Sequence, residues 1–256
     1  MLGRRPLKRW RYVGIFCEQL MACAAIVQVG IARQVFWAIY LRPGDDLLER
    51  TRMLPRGRSS VKLSSGRLDV RERGVTLEVS LREEEGIRAL CRHGDAQVWT
   101  RKQAGIPAEG RLLLAGRAPL TFKALAVIDD TAGHHARRTE WWWAAGVGHA
   151  PDGTALAFNL VQGVNDPPNG SERAIWVAGE PHEAAPVRFA ADLSEITAED
   201  GSRLRFSAEA QRSRRENLIL LRSDYRAPFG TFSGTLPGGI ELSHGLGVSE
   251  HHTASW

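Results

Sequence analysis

Three observations predict that the chain is an all-β protein with two antiparallel β-barrel or sandwich halves packed together. Short segments alternate between apolar and polar residues, as residues 75–81 do, and turn residues separate them. Long segments with helical periodicity are lacking. The third observation is the tryptophan-rich segment 139–143, which a Pro-Asp-Gly turn connects to a second alternating segment, 156–161, as in a β-hairpin.

The predicted strands follow one another at short spacing along the chain. Turn residues separate them at 43–46, 55–60, 65–66, 73–74, 151–153, 177–180 and 199–201. Segment 208–217 has some helical character, but its alternation of Arg and Glu suits an exposed strand and turn equally well. Besides the hairpin, strands are predicted at residues 10–16, 20–29, 35–41, 61–63, 67–71, 75–81, 111–114, 120–128, 187–193, 204–210, 218–223 and 231–236.

Composition and charge suggest how the chain is divided. Its 256 residues, 43% hydrophobic and 25% charged, are typical of a soluble globular protein with one large or two medium domains. Residues 1–125 carry net positive charge and residues 126–256 net negative charge, which predicts a basic N-terminal and an acidic C-terminal β-barrel-like domain. The basic half binds an anionic partner, packs on the acidic half, or simply consists of solvated strands. Except at the N-terminus, no basic cluster is interleaved with stacking aromatic residues, so no nucleic-acid partner is expected.

Cysteine usage and the N-terminus bear on the protein's location. Cys17, Cys23 and Cys91 are an odd number without metal-ligand spacing, which favours a reducing cytoplasm over a disulfide framework. Basic residues precede an apolar stretch, as in a signal peptide, but Glu18 and Gln19 interrupt that stretch. The apolar runs are shorter than the roughly 20 residues that span a bilayer. We therefore expect a cytoplasmic protein without a membrane span.

The hairpin offers a candidate ligand wall. Folding it about Asp152 pairs Trp143 with Val161 and Ala145 with Asn159. One face then carries Trp141, Trp143, Asn159 and Val161, and the other carries Trp142, Ala144, Phe158 and Leu160. Two indole rings and an amide on one face are typical of a binding wall, where a flat apolar surface is combined with an orienting polar group. The alternative is a tryptophan-rich core.

Carboxylates and loop residues near strand ends are candidate catalytic and binding groups. Asp129 and Asp130 end an apolar strand, and only one of two adjacent residues can point into a barrel cavity, where it could act as an acid or base. The alternative is an Asx turn. Asn165 belongs to a proline-stiffened turn at a barrel mouth. Glu250 and His251 follow a glycine-rich segment and could supply an acid or base, unless they form a surface turn.

Several other chemistries lack their motifs. Adjacent histidines, as at 134–135 and 251–252, diverge on a strand, so no metal site is predicted. The chain has no phosphate-binding loop, dinucleotide fingerprint or Gly-x-Ser-x-Gly elbow, which argues against ATPases, dehydrogenases and serine hydrolases. No lysine follows Lys123, which excludes a lysine Schiff base in the second half. No cofactor is expected.

Six short strings together resemble the bacterial domain-of-unknown-function family 2804. The resemblance covers essentially the whole chain and is specific from Arg138 onward. The chain begins close to the first string, and typical members are expected to carry a longer segment before it. The strings are residues 8–12 (KRWRY), 129–133 (DDTAG), 138–141 (RTEW), 163–166 (GVND), 223–230 (SDYRAPFG) and 245–251 (GLGVSEH).

The pattern is also distantly similar to the AttH and carotenoid 1,2-hydratase group, whose members have two lipocalin-like β-barrel domains. The wider group includes tocopherol cyclase and some Diels–Alderases. This resemblance implies two lipocalin-like halves and a cavity, within or between the barrels, for an isoprenoid or another lipid-like molecule. A fold alone does not transfer a reaction.

These observations lead to three functional hypotheses. The first is a protein that binds a hydrophobic small molecule. The second is a hydratase, cyclase or isomerase that uses carboxylate acid–base chemistry on an apolar substrate. The third is a non-catalytic interaction protein. The candidate catalytic residues are Asp130, Asp224 and Glu250. The candidate ligand-binding residues are Trp141, Trp143, Asn159, Asn165, Tyr225 and His251.

Overall fold

The computed structural model describes residues 6–54, 59–218 and 221–255, and its strands form two large antiparallel sheets. A short 3-10 turn, Arg42–Gly44, interrupts the first sheet's strand sequence. The first sheet contains β1 (Lys8–Phe16), β2 (Leu20–Val29), β3 (Ala32–Leu41), β4 (Asp46–Leu54), β5 (Val61–Ser64), β6 (Arg67–Glu72), β7 (Val75–Leu81), β8 (Ile87–His93), β9 (Ala96–Leu114) and β10 (Leu120–Gly133). The second contains β11 (Arg138–His149), β12 (Ala155–Gln162), β13 (Ala174–Val177), β14 (Glu180–Glu183), β15 (Val187–Phe189), β16 (Glu195–Ala198), β17 (Arg203–Ala210), β18 (Ser213–Leu218), β19 (Leu221–Arg226), β20 (Phe229–Leu236) and β21 (Ile240–Ser255).

Both sheets are built on the same plan. The strand order is β4-β3-β2-β1-β10-β9-β7-β6-β5 in the first sheet and β14-β13-β12-β11-β21-β20-β17-β16-β15 in the second. In each sheet the first strand pairs with the last, β1 with β10 and β11 with β21, so that distant parts of the sequence lie side by side. Strand β8 also pairs with β9, and β19 joins β18 to β21. The predicted all-β class is confirmed.

Side chains alternate between the two faces of a strand, so neighbouring residues belong to different apolar clusters. Within the first sheet, Val13 belongs to one cluster, and within the second, Ala144 belongs to another. A third cluster lies between the sheets and contains Tyr12 from β1 and Trp143 from β11. The two halves therefore share a core, which is where a site formed by both halves is to be expected.

The tryptophan-rich hairpin has the predicted register. Trp143 lies opposite Val161, and Ala145 lies opposite Asn159. Val161 belongs with Trp143 to the cluster between the sheets, whereas Phe158 faces the interior of the second half. The predicted division of the hairpin into two faces is confirmed.

Strand β9 is much longer than the predicted segment 111–114. It runs from Ala96 to Leu114 and includes Gly105, which has a φ of +74°, and Pro107. These two residues interrupt the alternation that a strand prediction depends on. They lie near the register shift at Ala126 and Val127 on β10, where a bulge bends the pair of strands.

One further prediction differs from the structure, one lies mostly outside the described residues, and one concerns the domain boundary. The single strand predicted at 218–223 is replaced by β18 and β19, which pair with each other, and residues 219 and 220 lie outside the described part of the chain. Most of the loop predicted at 55–60 also lies outside it. The predicted domain boundary at 125/126 falls within β10. The chain passes from the first sheet to the second between Gly133 and Arg138. The division into two domains itself stays a prediction.

Candidate functional site

A cavity lies between the two sheets, and we call it the inter-sheet cavity. Side chains from β1, β2, β3, β4, β9 and β10 form one wall, and side chains from β11, β12, β19 and β21 form the other. Its volume is about 170 Å³. The aromatic residues that line it are Trp10, Tyr12, Phe36, Trp141, Trp143 and Tyr225. Both halves of the chain are therefore needed to build it.

Trp143 is held in this wall by contacts on two sides. Its ring meets Tyr12 edge-on, with ring centroids 5.3 Å apart and planes at 84°, a favourable arrangement for two aromatic quadrupoles. Its Nε1 donates a hydrogen bond to Asn159 Oδ1 at 2.8 Å. Asn159 Nδ2 in turn donates to the carbonyl oxygen of Glu172 at 2.8 Å. Asn159 thus connects the indole to the loop that carries Glu172.

Lys102, Asp129 and Glu172 form a buried charged cluster on the cavity wall. Lys102 Nζ lies 2.7 Å from Asp129 Oδ1 and 3.2 Å from Glu172 Oε1. Asp129 also accepts hydrogen bonds from Trp10 Nε1 at 3.2 Å and from Thr131 Oγ1 at 2.9 Å. Two carboxylates therefore share one ammonium group in a place with little access to water.

Burial governs protonation in this cluster. Burial alone would lower the pKa of Lys102, but the adjacent Asp129 and Glu172 raise it, so the ammonium stays charged. Burial, together with the negative charge of Asp129, raises the pKa of Glu172 above that of a free glutamic acid, although Lys102 opposes the shift. Glu172 is consequently the carboxyl group best placed to hold a proton inside the cavity.

Asn165 brings an open hydrogen-bond acceptor to the same wall. Its backbone is left-handed, with a φ of +51°, a conformation that asparagine tolerates better than most residues. Its Nδ2 donates to Glu172 Oε2 at 2.9 Å. Its Oδ1 is buried and has no hydrogen-bond partner among the described residues. A donor group on a bound molecule would satisfy this oxygen.

Arg212 forms a second polar group on the wall and joins the two sheets. Its Nε donates to Glu49 Oε2 at 3.0 Å and its Nη2 to Tyr225 Oη at 3.1 Å, while the guanidinium lies 4.8 Å from the centre of the Phe36 ring. Burial alone would lower the pKa of Arg212, but the nearby Cys23, Tyr225 and Glu49 raise it above its usual value. The guanidinium therefore remains a fixed positive charge beside the cavity.

A third polar group consists of Ser223, His252 and Glu250, which we call the Ser223 array. Ser223 Oγ lies 2.8 Å from His252 Nε2, and His252 Nδ1 lies 3.6 Å from Glu250 Oε1. The same carboxylate oxygen accepts a hydrogen bond from Trp141 Nε1 at 3.0 Å. The rings of Trp141 and His252 are 4.1 Å apart. All these side chains line the inter-sheet cavity.

His135 borders the cavity beside Trp10. Its protonation makes the stability of the protein depend on pH in the acid range. Burial and the positive charges of Lys8 and His93 lower its pKa to about 3, from about 6.5 for histidine in an unfolded chain. Between these pH values the unfolded state binds more protons, so the free energy of unfolding falls as the pH falls.

In His135→Phe we expect this pH dependence to weaken by up to about 1.4 kcal/mol per pH unit between pH 6 and 4, which corresponds to one proton. Urea denaturation of the wild type and the variant at several pH values measures it. The same substitution at the exposed neighbour His134 is the control. An unchanged slope in His135→Phe would contradict the assignment of a buried, neutral imidazole.

Most, but not all, of the predicted site residues line the cavity. Trp141, Trp143, Asn165, Tyr225 and Glu250 do so, and Asn159 lies behind Trp143. Three others point elsewhere. Asp130 pairs with Arg11 and Arg101 outside the cavity lining, Asp224 pairs with Arg215, and His251 stacks on Trp142 with ring centroids 4.4 Å apart.

Alternation along the strands explains these differences. Asp129 and His252 occupy the cavity positions next to Asp130 and His251. The register that decides between adjacent residues depends on pairing with distant strands, β1 for Asp129 and β11 for His252. Lys102, Glu172 and Arg212 were not predicted, because their approach to the cavity depends on a bulged strand and on two irregular segments.

Two absences hold for residues 6–54, 59–218 and 221–255, the part of the chain that the structure describes. There, no three or more His, Cys, Asp or Glu side chains are grouped so as to hold a metal ion. No helix in that part is long and apolar enough to cross a membrane.

Known sequences relate the C-terminal two thirds of the chain to a family. Residues 88–256 match the model of a family described as "Domain of unknown function (DUF2804)". No curated protein matches the sequence.

Solved structures show the same fold at low sequence identity. A protein assigned as AttH from Nitrosomonas europaea has a TM-score of 0.59 at 11% identity, with 98% of this chain and 93% of that chain covered. Kievitone hydratase from Nectria haematococca has a TM-score of 0.59 at 12% identity, with 95% and 88% covered. A structure of CghA with Sch210972 has a TM-score of 0.54 at 7% identity, with 98% and 88% covered. These likenesses confirm the predicted lipocalin-like fold and the resemblance to the AttH group.

Proposed function

This chain belongs to the DUF2804 family, and we propose that it binds a hydrophobic small molecule in the inter-sheet cavity. The observation that carries the proposal is the cavity wall, in which six aromatic rings and a few oriented polar groups face one space. Such a composition is usual for small-molecule sites, where apolar surface supplies affinity and the polar groups set orientation.

The size of the cavity limits what it can enclose. Its volume of about 170 Å³ is similar to that of apolar cavities of about 150 Å³ that bind benzene. The enclosed part of the ligand is therefore about as large as one ring, or as the branched end of an isoprenoid or lipid-like molecule. The CghA structure with Sch210972 supports a small-molecule site on this fold. The free cysteines Cys17, Cys23 and Cys91 support the proposed cytoplasmic location.

Mass spectrometry of organic extracts tests the binding function. The wild type, Trp143→Ala and the control Trp99→Ala are purified in parallel, because Trp99 is 37% exposed and does not line the cavity. We expect a defined lipophilic species in the wild type and in Trp99→Ala, and its loss from Trp143→Ala. Calorimetric titration with indole covers the case in which the ligand is lost during purification.

Two outcomes would contradict the binding function. One is a folded wild type that retains no lipophilic species and binds no indole. The other is retention of the same species by a folded Trp143→Ala variant at the wild-type level. Circular dichroism and urea denaturation establish that each variant is folded before the extracts are compared.

The buried charged cluster favours a second candidate function, acid–base catalysis on the bound molecule. A carboxylic acid that keeps its proton in a dry pocket can protonate an alkene, and neighbouring aromatic faces stabilise the resulting cation. Glu172 meets this description better than the predicted Asp130 or Asp224, which do not line the cavity. The name of kievitone hydratase is consistent with such chemistry on this fold.

Deuterium incorporation distinguishes a catalyst from a carrier. The species recovered from the extracts is incubated with the protein in D₂O, and its mass is then measured by mass spectrometry. A catalyst that protonates carbon will transfer deuterium, and Glu172→Gln will abolish the transfer while indole still binds. Glu180→Gln, which changes an exposed carboxylate, is the control. Equal incorporation in wild type and Glu172→Gln would exclude Glu172 as the acid.

A further inference from the structure

The Ser223 array has the order of groups found in nucleophilic hydrolases. Glu250 and His252 lie two residues apart on β21 and therefore on the same face. Ser223 comes from the neighbouring strand β19, where Tyr225 is the residue opposite His252. Hydroxyl, imidazole and carboxylate follow one another at 2.8 Å and 3.6 Å. Strand pairing thus brings together Ser223 and His252, which are 29 residues apart in the sequence.

We propose that Ser223 is a nucleophile that His252 activates as general base and Glu250 orients, and that the array cleaves a small ester with an apolar acyl group. The inference rests on the proposed function, because the ester occupies the inter-sheet cavity. Such triads are recognised by geometry and roles rather than by a fixed sequence context. The array therefore does not need a Gly-x-Ser-x-Gly elbow, and Ser223 lies on strand β19 instead.

The reaction divides into two balanced steps. Ser223 Oγ bonds to the ester carbonyl carbon while its proton passes to His252 Nε2, and the carbon–oxygen bond breaks as the alcohol leaves with that proton. A water molecule then gives a proton to His252 and adds to the acyl group, which releases the carboxylic acid and restores Ser223. The carboxylate of Glu250, 3.6 Å from His252 Nδ1, stabilises the imidazolium that forms when Nε2 takes the proton.

The surroundings suit this role better than that of a simple surface hydrogen bond. Ser223 and His252 both face the cavity, so a bound molecule can reach the hydroxyl. Trp141 holds the carboxylate through its Nε1 and covers the imidazole ring. The charged Arg212, hydrogen-bonded to Tyr225 on the same strand face as Ser223, supplies positive charge for an oxyanion.

Diisopropyl fluorophosphate is the probe, because its phosphorus traps an activated serine as Ser223 Oγ displaces fluoride. Labelled protein is digested, and the modified peptide is identified by mass spectrometry. The variants are Ser223→Ala, His252→Gln and the control Ser80→Ala, which changes an exposed serine on β7. Indole titration of every variant reports separately on the cavity.

We expect labelling at Ser223 in the wild type and in Ser80→Ala, none at that position in Ser223→Ala, and a rate at least about 100-fold lower in His252→Gln. A wild type that binds indole but leaves Ser223 unlabelled would overturn the array while the binding function stands. Labelling that is equally fast in His252→Gln would overturn the role of the imidazole. A wild type that binds no indole and yields no lipophilic species in its extracts would instead contradict the proposed function.

Discussion

Replacing Lys102 by methionine will lower the free energy of unfolding by about 3–5 kcal/mol, the usual cost of removing one partner from a buried ion pair. Methionine has a similar length and fills the same space. The loss therefore comes from leaving Asp129 and Glu172 close to each other without the ammonium group that lies 2.7 Å and 3.2 Å from them. Urea denaturation at pH 7, followed by tryptophan fluorescence, measures the change.

The matched control is Lys123→Met. Lys123 is 88% exposed and lies 3.8 Å from Glu109, an arrangement that contributes about 0–1 kcal/mol. Adding Asp129→Asn to Lys102→Met should restore part of the lost stability, because it removes the uncompensated negative charge of Asp129. Equal losses in Lys102→Met and Lys123→Met, or strict additivity in the double variant, would show that the three groups do not act as a buried cluster.

Filling the cavity from β2 will abolish ligand binding. Val27 is half-buried and lines the inter-sheet cavity, so the indole of Val27→Trp will occupy the space that a ligand needs. We expect the affinity for indole to fall at least 100-fold, which corresponds to about 2.7 kcal/mol. The lipophilic species should also disappear from the organic extracts. The variant should remain folded, because the added volume enters an existing cavity.

Gln28→Trp controls for the added bulk. Gln28 follows Val27 on the same strand but faces away from the cavity, where it is hydrogen-bonded to Arg9. It should bind indole like the wild type. Wild-type binding by a folded Val27→Trp variant would place the ligand somewhere other than the inter-sheet cavity.

The fold could be predicted because alternation is a local property. In the hairpin, the side-chain pattern and the turn at 151–153 together determine the pairing of Trp143 with Val161. Most of strand β9 was not predicted, because Gly105 and Pro107 interrupt its alternation of apolar and polar residues. The charge difference between the halves did not locate the change of sheet, because surface charge carries no information about strand pairing.

The candidate site was accessible from the sequence only in part. Trp141 and Trp143 could be assigned to one face from alternation within a single hairpin. Glu172 reaches the cavity from an irregular segment, and Arg212 reaches it across the sheet interface to contact Glu49. Such contacts between elements distant in sequence leave no periodic signal in one chain. The choice between adjacent candidates, as at 129–130 and 251–252, likewise needed the register of paired strands.

The most direct test of the central claim is a crystal structure determined under xenon pressure, because xenon enters apolar cavities of this size. We predict bound xenon in the inter-sheet cavity, in contact with lining side chains from both sheets. In crystals of Val27→Trp the new indole should occupy that position and exclude the gas. A wild-type crystal in which side chains or a continuous set of ordered waters fill the space between the sheets would contradict the claim of an apolar binding cavity.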